Sequence, residues 1–531
     1  MEERLNCEPL AIVWVCLILF IELKKIIMQI TSTRFDTKSI PFAHYPALLL
    51  FALLIVLLSA CAPPKSDDLV TQATEPCRLK GMEQAARCGS IDVAENPLKP
   101  TGKKITIHFA VIPAAARLKA ADPLFILAGG PGQSAQLLAG QVGKVFSSIS
   151  RKRDLVFIDQ RGTGQSNGMK CSMPDLSTPL EEAVKVQTSL KALAICRDEL
   201  IAQGQDTRWY ATHLAVKDFD AIRAKLGAEK INLWGGSYGT RAALEYTRQF
   251  GSRVRTLILD GVAPANQILP VQMAIDTDTQ LNNLITVCDN DIRCAKQYPR
   301  LRETLTALLS PAGAELALTD PFTGEKRKLW IDAQSLAGAI RSPLYTPQLA
   351  AVLPHAVIRA ATGDGDPLFA LGAAFSSNTE ENFSMGMHLA VVCAEDMPRV
   401  DAAALKLLEG NFIGRAYVDQ YRAMCQGWPV GPVPSTFYEP VTADVPVLLL
   451  SGGLDPVTPP RHGKQVAQWF KQAQHFIMPA GGHIVSTQPC AAKLIEDFIK
   501  SAGSQTVDGS CLQKIPPPLL FSQIRRERSQ P

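Results

Sequence analysis

Gly235-Gly236-Ser237-Tyr238-Gly239 follows directly on an apolar stretch, Lys230 to Trp234, and runs straight into a helical pattern, Thr240 to Phe250. A strand that turns into a helix this sharply leaves room only for small residues around the serine. The turn lifts the Ser237 hydroxyl out at the top of a sheet, and the backbone N–H of Tyr238 faces the same space. A second copy of the pattern, Gly164-Gln165-Ser166-Asn167-Gly168, is followed by Met169-Lys170-Cys171, with no helical periodicity to close an elbow. Context selects Ser237 as a nucleophile and leaves Ser166 as a loop residue.

The rest of the chain supplies a sheet for that elbow. Lys104 to Val111 alternates and reads as an antiparallel strand. Pro123 to Leu127, Leu155 to Ile158, Ile231 to Trp234, Thr256 to Leu259 and Val445 to Leu450 are apolar runs of the fully buried type. Each ends in a loop with Gly or Asp, and helix-like stretches such as Val216 to Leu226 separate several of them. The fold class is α/β, a mostly parallel central sheet covered on both faces, with ligands expected at the carboxyl ends of its strands. The regularity breaks over 266–438, a mainly helical stretch that reads as a cap inserted before the last core strands. The expected divisions are a targeting segment 1–60, a leader with the first disulfide 61–100, and core parts 101–265 and 439–515 flanking the cap. A flexible tail, 516–531, follows.

Residues 46–60 are uncharged and Leu-rich, the length of a signal core and short for a membrane span of roughly 20 residues. Leu58-Ser59-Ala60-Cys61 resembles the bacterial lipobox, which implies a lipid on Cys61 as the first mature residue. Leu10 to Ile21, between Glu8 and Glu22, makes a poor signal, whereas Met28 opens one with Arg34 and Lys38 as its positive region, so Met28 is the expected true start. An uncleaved membrane anchor is the alternative. Both place the remainder outside the cytoplasm, on the periplasmic side of a bacterial envelope, with the outer membrane favoured over the inner.

Thirteen cysteines, without Cys7, Cys16 and Cys61, leave ten for an oxidising compartment. Local pairing is the simplest connectivity: Cys77 with Cys88, Cys171 with Cys196, Cys288 with Cys294, Cys393 with Cys425, Cys490 with Cys511. Spacing does not fix it. None has the C-x-x-C spacing of a zinc site, so neither metal nor cofactor is expected. With 47% hydrophobic and 20% charged residues the 531-residue chain is a folded globular one, and a net charge of +4 argues against a nucleic-acid partner. Oligomeric state is not legible.

A serine hydroxyl needs a base, and the base needs a group to orient it. Asp455, just past the buried strand that ends near Leu450, fits the acid, and His483, in Pro479-Ala480-Gly481-Gly482-His483, fits the base. His462, in a helical pattern, and His475, at the start of a strand, are the rivals, and Asp444 sits before its strand, at the wrong end of the sheet. For the oxyanion the donors are Tyr238 N–H and the loop Ala128-Gly129-Gly130-Pro131-Gly132, where Gly129 and Gly130 are candidates and Gly130 is favoured.

Together these residues resemble the prolyl aminopeptidase and tripeptidyl aminopeptidase family of α/β-hydrolase serine peptidases. Gly129-Gly130-Pro131-Gly132 looks like its His-Gly-Gly-Pro-Gly loop, with Ala128 where histidine is usual, and Asp159-Gln160-Arg161-Gly162-Thr163-Gly164-Gln165-Ser166 looks like its Asp-Gln-Arg-Gly-x-Gly-x-Ser signature. Pro446 to Cys511 looks like the C-terminal segment of the tripeptidyl branch, with Cys490 and Cys511 in the places of its cysteines. The resemblance implies an aminopeptidase acting on peptides with a free amino end, held by acidic residues of the cap, for which Glu395 and Asp396 are the candidates. A carboxylesterase of the same fold is the alternative, and a non-catalytic binding lipoprotein the remote one.

Overall fold

The computed structural model describes residues 69–175, 177–376 and 383–522. The targeting segment, Met28 and Cys61 lie outside the described residues. Strands β1 (Glu75–Cys77), β2 (Ala86–Ala94), β3 (Lys104–Ile112), β4 (Leu124–Leu127), β5 (Leu155–Ile158), β6 (Ile231–Gly236) and β7 (Val254–Asp260) precede an insertion. The insertion holds an antiparallel hairpin, β8 (Ala314–Thr319) with β9 (Lys326–Ile331), and the sheet resumes with β10 (Val447–Gly452) and β11 (Ala473–Met478). Among the described residues the main sheet has the order β1-β2-β3-β5-β4-β6-β7-β10-β11. Its first three strands pair antiparallel, as does β3 with β5, and every pairing from β5 onward is parallel.

The apolar runs are unbroken because successive side chains serve opposite faces. Phe125 and Leu127 enter one core cluster while Leu124 and Ile126 enter another; Val447 and Leu449 part in the same way from Leu448 and Leu450. Helices α1 (Thr212–Lys225) and α2 (Tyr238–Phe250) cover the first face through Phe219, Ile222, Ala243 and Tyr246. The second face is covered from the chain's end, by Leu494, Ile495 and Phe498.

The insertion between β7 and β10 is a mainly helical lobe with its own core, built on α3 (Leu269–Asn290), α4 (Ala333–Arg341), α5 (Met385–Glu395) and α6 (Gly414–Met424). Helix α5 is apolar nearly all round, and a helix of that kind must be buried on every side. Val392 joins the lobe's core while Met387, Leu389 and Val391 join the core on the sheet, so α5 stitches the two together. Among the described residues five disulfides link Cys77 to Cys88, Cys171 to Cys196, Cys288 to Cys294, Cys393 to Cys425 and Cys490 to Cys511.

Two boundaries differ from the sequence reading. The sheet starts upstream of residue 101, because β1 and β2 extend it antiparallel from β3. Residues of the expected tail dock on the lobe: the Phe521 amide donates to Ala351 O at 2.9 Å, Tyr298 OH donates to Phe521 O at 3.0 Å, and Leu520 packs against the lobe's core. Of the three apolar residues following Pro516-Pro517-Pro518, Leu520 packs on the lobe and the Phe521 ring meets that of His355 at 5.1 Å. No helix among the described residues is long and apolar enough to cross a membrane.

Candidate active site

Ser237 stands between β6 and α2 at φ 56° and ψ −125°, a left-handed backbone that a non-glycine residue holds at a cost of order 1–3 kcal/mol. Its amide donates to Asp260 O at 2.9 Å. A Cβ at Gly235 would collide with the Gly239 carbonyl, and one at Gly239 with the Leu127 carbonyl. Those two glycines are what let the helix turn back so close to the sheet.

Asp455 follows β10 and is fully buried. Its Oδ2 accepts from His483 Nδ1 at 2.9 Å and from Thr458 Oγ1 at 2.6 Å, and its Oδ1 accepts from the amides of Val457 and Thr458, each at 2.9 Å. Burial alone would raise this carboxyl's pKa; the His483 charge and these donors outweigh it and hold it below the usual carboxylate value. His483 shows the mirror image, since burial opposes its charge but Asp455 prevails and raises it above 6.5. With Nδ1 committed to the carboxylate, Nε2 is the nitrogen left to act as base.

Sequence reading missed the residues that hold this pair. Asp260, at the carboxyl end of β7, accepts from the amides of Val485 at 2.9 Å and Ser486 at 2.7 Å, just past His483, while its carbonyl takes the Ser237 amide. At Gly261 an added Cβ would lie 2.9 Å from Thr458 Oγ1 and 3.4 Å from His483 Cε1. The lobe contributes Tyr345, whose carbonyl accepts from the His483 amide at 3.0 Å and whose ring meets the imidazole edge-on at 5.2 Å. An Asp-Gly pair at the carboxyl end of a buried strand was the available signal for the first two; nothing in sequence marked Tyr345.

On the oxyanion side, a Cβ on Gly129 would lie 3.1 Å from Ser237 Cβ, so this loop passes directly over the nucleophile. Gly129 is buried and Gly130 exposed. The Tyr238 side chain turns away, its hydroxyl accepting from Gln160 Nε2 at 3.0 Å and hydrogen-bonded to Thr212 Oγ1 at 2.5 Å. Its amide is left at the start of α2, where helix amides lack intrahelical acceptors.

The remaining candidates are scaffold. Ser166 is fully buried and its Oγ accepts from the His108 amide at 2.8 Å. Asp159, in the same loop, accepts from Ser134 Oγ, and Arg161 forks onto Asp218 at 2.7 and 2.8 Å. His462 bonds Asp276 at 2.8 Å, His475 bonds Ser451 at 3.0 Å, and Asp444 is exposed. Glu395 and Asp396 call for a correction. Both are fully buried and engage Arg241, one turn beyond Ser237 on α2, at 3.3 and 3.0 Å. Glu395 also accepts from the Thr212 amide, and Asp396 from the Leu269 amide. An unpaired arginine inside the protein requires such counter-charges, so these carboxylates are closed to a substrate amine as the structure stands. Burial pushes Glu395 up to about 7, despite Arg241.

A family model described as "alpha/beta hydrolase fold" matches residues 122–285, and one described as "TAP-like protein" matches 410–511. The serine protease Hip1 of Mycobacterium tuberculosis is 25% identical over 431 residues, spanning 75% of this chain and 82% of its own. The tripeptidyl aminopeptidase of Streptomyces lividans is 28% identical over 205 residues, 36% of this chain and 38% of its own. Among solved structures, a proline iminopeptidase of Mycobacterium smegmatis matches at 17% identity and a TM-score of 0.37, covering 78% of this chain and 99% of its own. Sheet, elbow and the order serine, acid, histidine define an α/β-hydrolase with a serine nucleophile. The relatives so named support a serine peptidase of that fold.

Proposed function

We propose that this serine peptidase is an aminopeptidase, releasing residues from the free amino end of short peptides through an acyl-enzyme on Ser237. The observation that carries it is the His483–Asp455 pair, at 2.9 Å, lying inside the segment that matches the TAP-like family model. His483 Nε2 takes the Ser237 proton as Oγ attacks the scissile carbonyl, and Asp455 stabilises the imidazolium. The amides of Tyr238 and of Gly129 or Gly130 receive the developing oxyanion. The imidazolium then protonates the leaving amine, and water releases the acyl group.

The deciding measurement compares one peptide anilide with its amino end free and acetylated, with Ser237→Ala as the blank. A strong preference for the free amine is expected; equal rates, or brisk ester hydrolysis beside no peptide cleavage, move the protein to the carboxylesterases.

The five disulfides support an oxidising, extracytoplasmic compartment. The lipobox-like sequence at Cys61 supports a lipid anchor on the periplasmic side. Cys61→Ser should free the protein from the membrane fraction; retention of that variant would leave the anchor without its cysteine.

A further inference from the structure

Arg341 ends α4 within a group of lobe tyrosines. Its Nη1 donates to Tyr345 OH at 2.9 Å, and its guanidinium carbon lies 5.5 Å from the Tyr345 ring centroid and 5.0 Å from that of Tyr417. Nε is buried without an acceptor, and among the described residues the guanidinium forms no ion pair. The buried Arg161 and Arg241 differ: Arg161 has Asp218, and Arg241 has Glu395 with Asp396. Tyrosine faces attract a cation, but they accept few of the five N–H donors a guanidinium carries. The donor set that remains is the one that grips a carboxylate in a two-point fork.

Its position says whose carboxylate. Tyr345, which receives the Arg341 bond, is also the ring that meets His483 edge-on at 5.2 Å. In acyl transfer the histidine protonates the departing amine, so the leaving portion of a peptide lies on the histidine's side of Ser237. Arg341 is one phenol ring beyond that histidine. Extended chain spans about 3.3–3.6 Å per residue, which brings a terminal carboxylate to that distance within a few residues of the scissile bond.

Resting on the peptidase reading, we infer that Arg341 binds the C-terminal carboxylate of the substrate on its leaving-group side. The site thereby selects short peptides with a free carboxyl end.

The test uses alanine peptides of three and four residues and their C-terminal amides, with release of new amino groups followed for each. The wild-type enzyme should favour the acids over the amides in kcat/KM by on the order of 10- to 100-fold, the value of a charge-assisted contact. Arg341→Gln should bring that ratio to within about threefold of unity, and Arg341→Lys should keep part of it. Because the readout is a ratio, a general loss of activity in a variant does not imitate the result. A wild-type ratio near unity overturns the inference, as does a ratio that persists in Arg341→Gln, which would make Arg341 a prop for Tyr345. Cleavage of neither acid nor amide beside brisk ester hydrolysis would instead sink the peptidase reading beneath it.

Discussion

Ser237 is held in a backbone conformation that its own side chain disfavours. Glycine adopts that region freely, so Ser237→Gly should abolish turnover while raising stability by roughly 1 kcal/mol, read from urea unfolding. A destabilised Ser237→Gly would mean the hydroxyl, not the backbone, dominates this position's energetics. His483 makes a second prediction. Its raised pKa keeps the imidazole protonated to higher pH, and the protonated form cannot accept the serine's proton. The acid limb of the kcat/KM profile should therefore fall above pH 6.5. Stability runs the other way: a pKa raised on folding stabilises the protein below the unfolded value, and that contribution is lost as pH rises through the folded one. Asp455→Asn should shift the limb downward and lower kcat on the order of 10⁴-fold. The Ser237 elbow and the His483–Asp455 pair were legible in sequence because each is announced by local chemistry, small residues at an elbow or glycines before a histidine. The pairing of Glu395 and Asp396 was not, since their partner Arg241 lies 154 and 155 positions away.

At the level of elements, α2 and α5 are bound by that buried ion cluster. Removing the guanidinium by Arg241→Met strands two carboxylates and should cost about 3–5 kcal/mol, measured by chemical unfolding. Any preference for a free amine should survive Glu395→Gln, and its disappearance would restore Glu395 to the substrate. Asp260 serves β7 in the same structural sense. Asp260→Ala leaves the Val485 and Ser486 amides without their acceptor and should destabilise by about 2–4 kcal/mol, with kcat falling alongside. Unchanged kcat at full occupancy of the fold would remove Asp260 from the positioning of His483. Core strands were readable because both their faces are buried, which writes them as continuous apolar runs. The lobe's helices were readable as helices, but periodicity does not say which face meets which core, and α5 meets two.

For the whole molecule, Leu520 and Phe521 close on the lobe. Truncation after Pro516 should lower stability by roughly 1–2 kcal/mol, through the lost bonds of Phe521 with Ala351 and Tyr298. A truncated protein with an unchanged unfolding curve would make that docking incidental. The expected tail opens on three successive prolines, and the three apolar residues beyond them, Leu519, Leu520 and Phe521, carry the opposite signal. Asp260 matters at this scale in another way. The serine and the histidine come from segments far apart in the chain, yet the amide of one and the loop of the other are referenced to a single residue on a central strand. Like two gauges zeroed on one datum, they share whatever displacement that strand undergoes. A displacement confined to the sheet's outer strands therefore leaves the spacing between nucleophile and base unchanged.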